Sequence, residues 1–348
     1  MERARKDRSG GGCHEASWSD QARRQRQAHL PHRYPDPLGL RRRVGRAESR
    51  QEQVLARERA HAVRRRRRRE DAGVQGVPRE HREDRLSAVA ERTTTYADRR
   101  KRAAELAERY DFAREPLALY GALAGSQERA LERARADRPS VDELAAYVVR
   151  AALPEVVGAV MNAGTETLRE AVLLRFHEGD LERMVTSWLR GETQKGTDVF
   201  LARAATSPVL EALPEIARAL PIAGEERFCP QCGGSPQVSV FVDSGEALVT
   251  GQRRLVCARC ANEWVYPRMT CVACGETDSG KLVVLADPDQ LPHLRIDACE
   301  RCKRYIVSVD ARLESHAVPI VDEIVAIPLD IVAAERGFTK VTPNLMGF

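Results

Sequence analysis

From about residue 95 onward, apolar residues recur at helical spacing. Residues 97–110 are Ala-rich and charged. Pro116 suits the first turn of a helix, and Leu117, Tyr120, Leu123, Gln127, Leu131 and Ala134 come after it at intervals of three and four. Ser140-Val-Asp-Glu143 has the form of a capping box and predicts a helix running to Ala152. Pro154 is expected to start another, with Val156, Val157 and Val160 inward. Residues 165–178 repeat the pattern with Leu168, Val172, Leu173 and Phe176. Residues 180–190 do so with Leu181, Val185, Trp188 and Leu189. After a loop at 191–196, stretches 198–205 and 208–220 predict one or two more helices. Residues 95–222 thus read as an all-α domain of six to eight short helices, and 221–224 link it to a region of different texture.

There the period shortens. Runs rich in β-branched and aromatic residues at 237–242, 254–256 and 264–266 predict short antiparallel strands between Gly, Pro and Asp punctuation. A second set lies at 281–286, 294–296 and 305–309. Helical spacing returns over 320–336 with Ile320, Ile324, Ile327, Ile331 and Val332, interrupted by Pro328 and stopped at Gly337. The apolar tail, 338–348, either docks on the body or is offered to a partner. The fold class is α+β: an N-terminal all-α domain, two tandem rubredoxin-like or zinc-ribbon β modules over 225–268 and 269–310, and a C-terminal helix and tail over 311–348.

Cysteines change this picture most. Eight of nine form four Cys-x-x-Cys pairs: Cys229/Cys232, Cys257/Cys260, Cys271/Cys274 and Cys299/Cys302. The gaps between Cys232 and Cys257 and between Cys274 and Cys299 are both 24 residues, and the second half reproduces the first at an offset of 42. One such pair suits redox chemistry or a buried structural role. Four pairs with matched loops favour metal, each ion taking four thiolates from two tight turns. Sequential pairing is expected, because a duplicated unit carries its own site; cross-bracing of first pair with third is the rival. Tetrahedral thiolate accepts Zn or Fe alike, so two ions of either metal are expected. Gly233 and Gly275 directly succeed the second cysteine of their pairs, where positive φ lets backbone amides turn onto sulfur. Ribbons this small need their metal to stay folded. His293 could replace a thiolate, but four cysteines already fill that site. His177 reads as a helix end and Trp188 as core.

The net charge of +5 is unevenly spread. Residues 1–90 hold 23 Arg and one Lys against 13 acids, with a run at 64–69, and their only aromatics are Trp18 and Tyr34. No period there buries a face. A basic arm for nucleic acid or an acidic partner is one reading. A disordered leader, translated from upstream of the true start, is the favoured one; Cys13, His14 and His32 are assigned no role. The remaining residues are mildly acidic. Residues 225–310 carry ten basic and twelve acidic residues, a poor surface for a phosphate backbone. No secretory signal and no apolar run of membrane-spanning length stand out, so a cytoplasmic protein without membrane insertion is expected. No Ser/His/Asp cluster, phosphate loop or His-Glu-x-x-His motif suggests an enzyme.

Cys229-Pro-Gln-Cys-Gly-Gly-Ser-Pro, Cys257-Ala-Arg-Cys-Ala-Asn-Glu-Trp, Arg268-Met-Thr-Cys-Val-Ala-Cys-Gly and Cys299-Glu-Arg-Cys-Lys-Arg-Tyr resemble the four knuckles of the formate dehydrogenase accessory protein family, the FdhE type. Arg102-Ala-Ala-Glu-Leu-Ala and Pro116-Leu-Ala-Leu-Tyr resemble its helical start, and Pro343-Asn-Leu-Met-Gly-Phe its end, with Met346 where an aromatic is expected. The resemblance spans about residues 96–348 and has no counterpart for the Arg-rich leader. It implies a non-enzymatic cytoplasmic maturation factor that contacts the formate dehydrogenase catalytic subunit and carries rubredoxin-like metal. A redox or sulfur-handling role on the same enzyme is the alternative reading, and a nucleic-acid-binding ribbon the weakest.

Overall fold

The computed structural model describes residues 94–192, 194–220, 225–243 and 251–348. The Arg-rich stretch 1–90, with Cys13, His14 and His32, lies outside the described residues.

Helix α1 (Tyr96–Arg109) opens with a capping box between Thr95 and Asp98. A 3-10 turn (Asp111–Ala113) leads into α2 (Arg114–Asp137), with Pro116 in its first turn. The next apolar run behaves differently from its sequence pattern. α3 (Leu144–Tyr147), a π turn (Val148–Ala152) and α4 (Leu153–Ala163) succeed one another with no break at Pro154. Proline has no N–H for the carbonyl four residues back. The wide π turn beside it absorbs that misfit, and the buried stripe Leu153, Val156, Val157 and Val160 keeps the run helical. Leu144–Ala163 is therefore long and apolar enough to cross a membrane, yet it packs within the helical core.

α5 (Glu166–His177) and α6 (Leu181–Leu189) start on the side chains of Thr165 and Asp180. α7 (Gly196–Ala212) passes through Pro208, joining two predicted stretches, and α8 (Pro214–Ala219) closes the domain. Leu123, Leu153, Met184, Leu201 and Leu210 fill the core.

Strands β1 (Pro236–Val242), β2 (Gln252–Cys257) and β3 (Glu263–Val265) form one antiparallel ribbon. β4 (Leu282–Ala286), β5 (Leu294–Cys299) and β6 (Arg304–Asp310) form the other. β2 and β5 coincide under the 42-residue offset. The two ribbons are joined as well as adjacent: β1 and β6 pair in parallel from Val238↔Val307 to Phe241↔Asp310. With β7 (Thr339–Lys340) beside β6, this makes one seven-stranded sheet in the order β3-β2-β1-β6-β5-β4. Polar groups flank the seam and one pair spans it: Arg253 Nε donates to Ser239 Oγ at 2.8 Å, Ser308 Oγ to Asp297 Oδ2 at 2.6 Å, and Arg253 Nη2 lies 3.5 Å from Asp297 Oδ2 across it. Leu255, Tyr266, Val272 and Ile306 form a small core drawn from both halves.

α9 (Pro319–Asp322), a 3-10 turn (Glu323–Ala326) and α10 (Ile327–Glu335) come next. Gly337, at φ +79°, ends α10, and the Phe338 amide reaches back to the Ala333 carbonyl. The tail is docked: Leu345 and Met346 pack against the same core cluster that contains the helical domain. The Asn344 side-chain oxygen accepts from the Met346 and Phe348 amides.

Candidate metal centres

Each Cys-x-x-Cys pair sits on a tight turn. In all four turns the residue after the second cysteine has positive φ: Gly233 at 66°, Ala261 at 53°, Gly275 at 73° and Lys303 at 56°. That residue's amide donates to the carbonyl of the first cysteine, at 2.9, 3.2, 2.9 and 2.9 Å. The turn also aims amides at sulfur. Gln231 N lies 3.4 Å from Cys229 Sγ, Arg259 N 3.3 Å from Cys257 Sγ and Ala273 N 3.4 Å from Cys271 Sγ. Such donors favour the thiolate form.

The structure brings the cysteines together in two groups, Cys229, Cys232, Cys257 and Cys260, and Cys271, Cys274, Cys299 and Cys302. Within each group the sulfurs all lie within 4.8 Å of one another. Cys229–Cys260 and Cys232–Cys257 are separated by 3.7 and 3.4 Å, Cys271–Cys302 and Cys274–Cys299 by 3.7 and 3.8 Å. Metal–sulfur bonds of about 2.3 Å place the corners of a tetrahedron about 3.8 Å apart, and a disulfide would need about 2 Å. The donors therefore fit a thiophilic tetrahedral ion, Zn or Fe, and not a hard cation. Electrostatics agree. Hydrogen bonds from Cys232, Cys257 and Cys260 pull the Cys229 thiol down, while burial pushes Cys257 up. Four thiols so close cannot all ionise without a cation among them.

The two groups differ in their surroundings. The first is buried in the core cluster shared with the helical domain. Arg259, from its second turn, lies over the Trp188 ring at 5.4 Å and donates to the Trp188 carbonyl at 3.3 Å. In the second group, Cys274 and Cys302 are half-buried.

These two knuckled halves match the FdhE central domain over residues 228–268 and the FdhE C-terminal domain over residues 269–346. Over those residues the chain is similar to the FdhE family. An FdhE homologue of Aquifex aeolicus is 28% identical over 195 residues, 56% of this chain and 68% of that protein. One of Pseudomonas aeruginosa is 29% identical over 209 residues, 56% of this chain and 63% of that protein. One of Pseudomonas putida is 33% identical over 147 residues, 41% of this chain and 45% of that protein. The crystal structure of the FdhE protein from Pseudomonas aeruginosa has a TM-score of 0.54 at 22% identity, over 72% of this chain and 95% of that one. It shows a shared fold.

The other candidates fall outside both cysteine groups. His293 is buried, with Nε2 3.0 Å from Asp322 Oδ1. His177 is exposed at the end of α5, and Trp188 packs on the core. Sequence reasoning missed a buried polar cluster beside the first group. Arg203 on α7 donates from Nε to the Ala258 carbonyl at 3.1 Å, from Nη1 to the Pro343 carbonyl at 2.6 Å, and from Nη2 to Gln237 Oε1. Gln237 donates to Glu323 Oε2 at 2.6 Å. Lys340 Nζ lies 2.8 Å from Glu323 and 3.4 Å from Asp330. The signal was available: Asp322, Glu323 and Asp330 interrupt an otherwise apolar stripe, and Arg203 stands in Leu-Ala-Arg-Ala-Ala.

Proposed function

We propose that this protein is a cytoplasmic, non-enzymatic assembly factor for formate dehydrogenase, and that it binds the immature catalytic subunit. The two four-cysteine groups, set in matched FdhE domains, carry this reading. The eight cysteines would hold two ions, Fe or Zn, one per group. Each ion would supply a fold staple, locking two turns that the thin β core cannot fix alone. With four protein thiolates a tetrahedral site has no open position for hydrolytic chemistry. The ribbon surface is near charge balance, which suits a protein partner better than a phosphate backbone. The sheet edge and the helical domain would share the docking surface, since one core links them.

The test is co-purification with the catalytic subunit, read beside metal content. Cys257→Ala with Cys260→Ala should abolish metal at the first group and lose the subunit. Loss of metal with normal binding and normal maturation overturns the stapled docking surface. Normal binding with failed maturation would instead favour a redox or sulfur-handling role for the thiols.

A further inference from the structure

The 42-residue repeat allows the two cysteine groups to be compared position by position. Arg259 and Arg301 occupy equivalent sites. Arg259 is drawn onto Trp188 and closes the first group against α6. Arg301 has a side chain 62% exposed, with Glu276 3.5 Å away. Gly234 corresponds to Glu276. A Cβ at Gly234 would lie 2.7 Å from Cys257 Sγ, so the first turn packs its bare backbone against sulfur. The second turn carries a full side chain at that position. Leu345, Met346 and Trp264 also pack against the cluster holding the first group. Cys229, Cys232, Cys257 and Cys260 are all buried, whereas Cys274 and Cys302 are partly open to solvent.

We infer that the second group is the chain's exchange site, where Cys274 and Cys302 meet small thiol-directed ligands from solution while the first group stays closed. This rests on the metal-centre reading of both groups. Reaction at a sealed cysteine must wait for a local opening of the helical domain, the tail or the Arg259 cover. Reaction at Cys274 or Cys302 needs no such opening, so the two rates separate.

The experiment uses the full chain loaded with zinc. N-ethylmaleimide is added, released metal is followed with a colorimetric chelator, and alkylated cysteines are mapped by mass spectrometry over time. One equivalent should leave in a fast phase as Cys274 and Cys302 are labelled. The other should leave at least ~10-fold more slowly, with the first four cysteines. Arg259→Ala should quicken labelling of Cys232 and Cys257 without changing Cys274 or Cys302. Cys274→Ser with Cys302→Ser should remove the fast phase only. Should that variant fail to fold, the order of labelling in the unaltered chain still decides. Two equivalents leaving in one phase, or first-group cysteines labelled first, overturns the inference alone. If complete unfolding liberates no metal, the metal-centre reading falls and takes this inference with it.

Discussion

At Gly234, one missing methyl group decides how closely a turn can approach a sulfur. Its substitution by Ala would place Cβ 2.7 Å from Cys257 Sγ and 3.0 Å from Arg259 Cγ and Cδ. Backbone and sulfur are both fixed there, so the turn must shift. Gly234→Ala should therefore speed metal loss from the first group and lower the urea midpoint. Gly158→Ala is the control: nothing lies within 4 Å of its Cβ, and Ala in mid-helix should gain about 0.5–1 kcal/mol. A second residue-scale effect concerns charge. Burial pushes Glu323 up, against the pull of Lys340. A carboxyl raised in the folded state binds its proton more tightly there than when unfolded. Its contribution is present below the unfolded value and is lost as pH rises through the folded one. Glu323→Gln removes that loss while Asp330 still faces Lys340. Thermal melts should show the variant level with the parent near pH 4 and higher by roughly 2–4 °C at pH 8, about 1 kcal/mol in a body of this size. Asp322 runs the other way. Burial alone would raise it, but hydrogen bonds from His293 and Arg102 outweigh burial and hold it low, so its contribution fades as the solution is acidified. The turns were partly legible at this scale. Gly233 and Gly275 announce positive φ, whereas Ala261 and Lys303 do so only through their place in the repeat.

At the scale of elements, helix identity was readable and helix ends were not. Pro154 and Pro208 look like boundaries locally, yet packing carries both runs across them. The antiparallel hairpins were visible as alternating runs beside turn residues. The parallel pairing of β1 with β6 was not, because partners such as Val238 and Val307 lie far apart in sequence and leave no local pattern. The same holds for Arg203, whose three acceptors come from the second turn, β1 and the tail. Each of its nitrogens is matched to one of those segments. Arg203→Ala leaves two carbonyls and the Gln237 amide oxygen without this donor. Each buried acceptor left unpaired costs about 1–3 kcal/mol. Limited proteolysis should then cut within the tail, where the parent resists. Arg203→Lys should rescue little, since one ammonium cannot span three acceptors held apart by a planar fork.

Over the whole molecule, the two cysteine groups sit in unequal surroundings. The repeat made two matched sites legible from spacing alone. Their unequal setting was hidden, because it depends on Trp188 and the tail, segments distant in sequence from the knuckles. The first group lies in one core cluster with Leu153, Met184 and Leu210, so its ligands and the helical domain share their buried contacts. Shared contacts make for shared unfolding. Helical content tracked by far-ultraviolet circular dichroism should therefore melt in step with metal loss from the first group. Cys229→Ser with Cys232→Ser should lower that melt by many degrees, although no helix is altered. The matching pair Cys271→Ser and Cys274→Ser should disturb the β4–β5–β6 ribbon and leave the helical melt nearly in place, because that group lies outside the core cluster of the helices. Equal losses of helical stability from the two pairs would mean that coupling runs through the β1–β6 seam rather than through the first group. In that case a bulky replacement at the seam, Ser239→Phe, should lower the helical melt as much as either cysteine pair does.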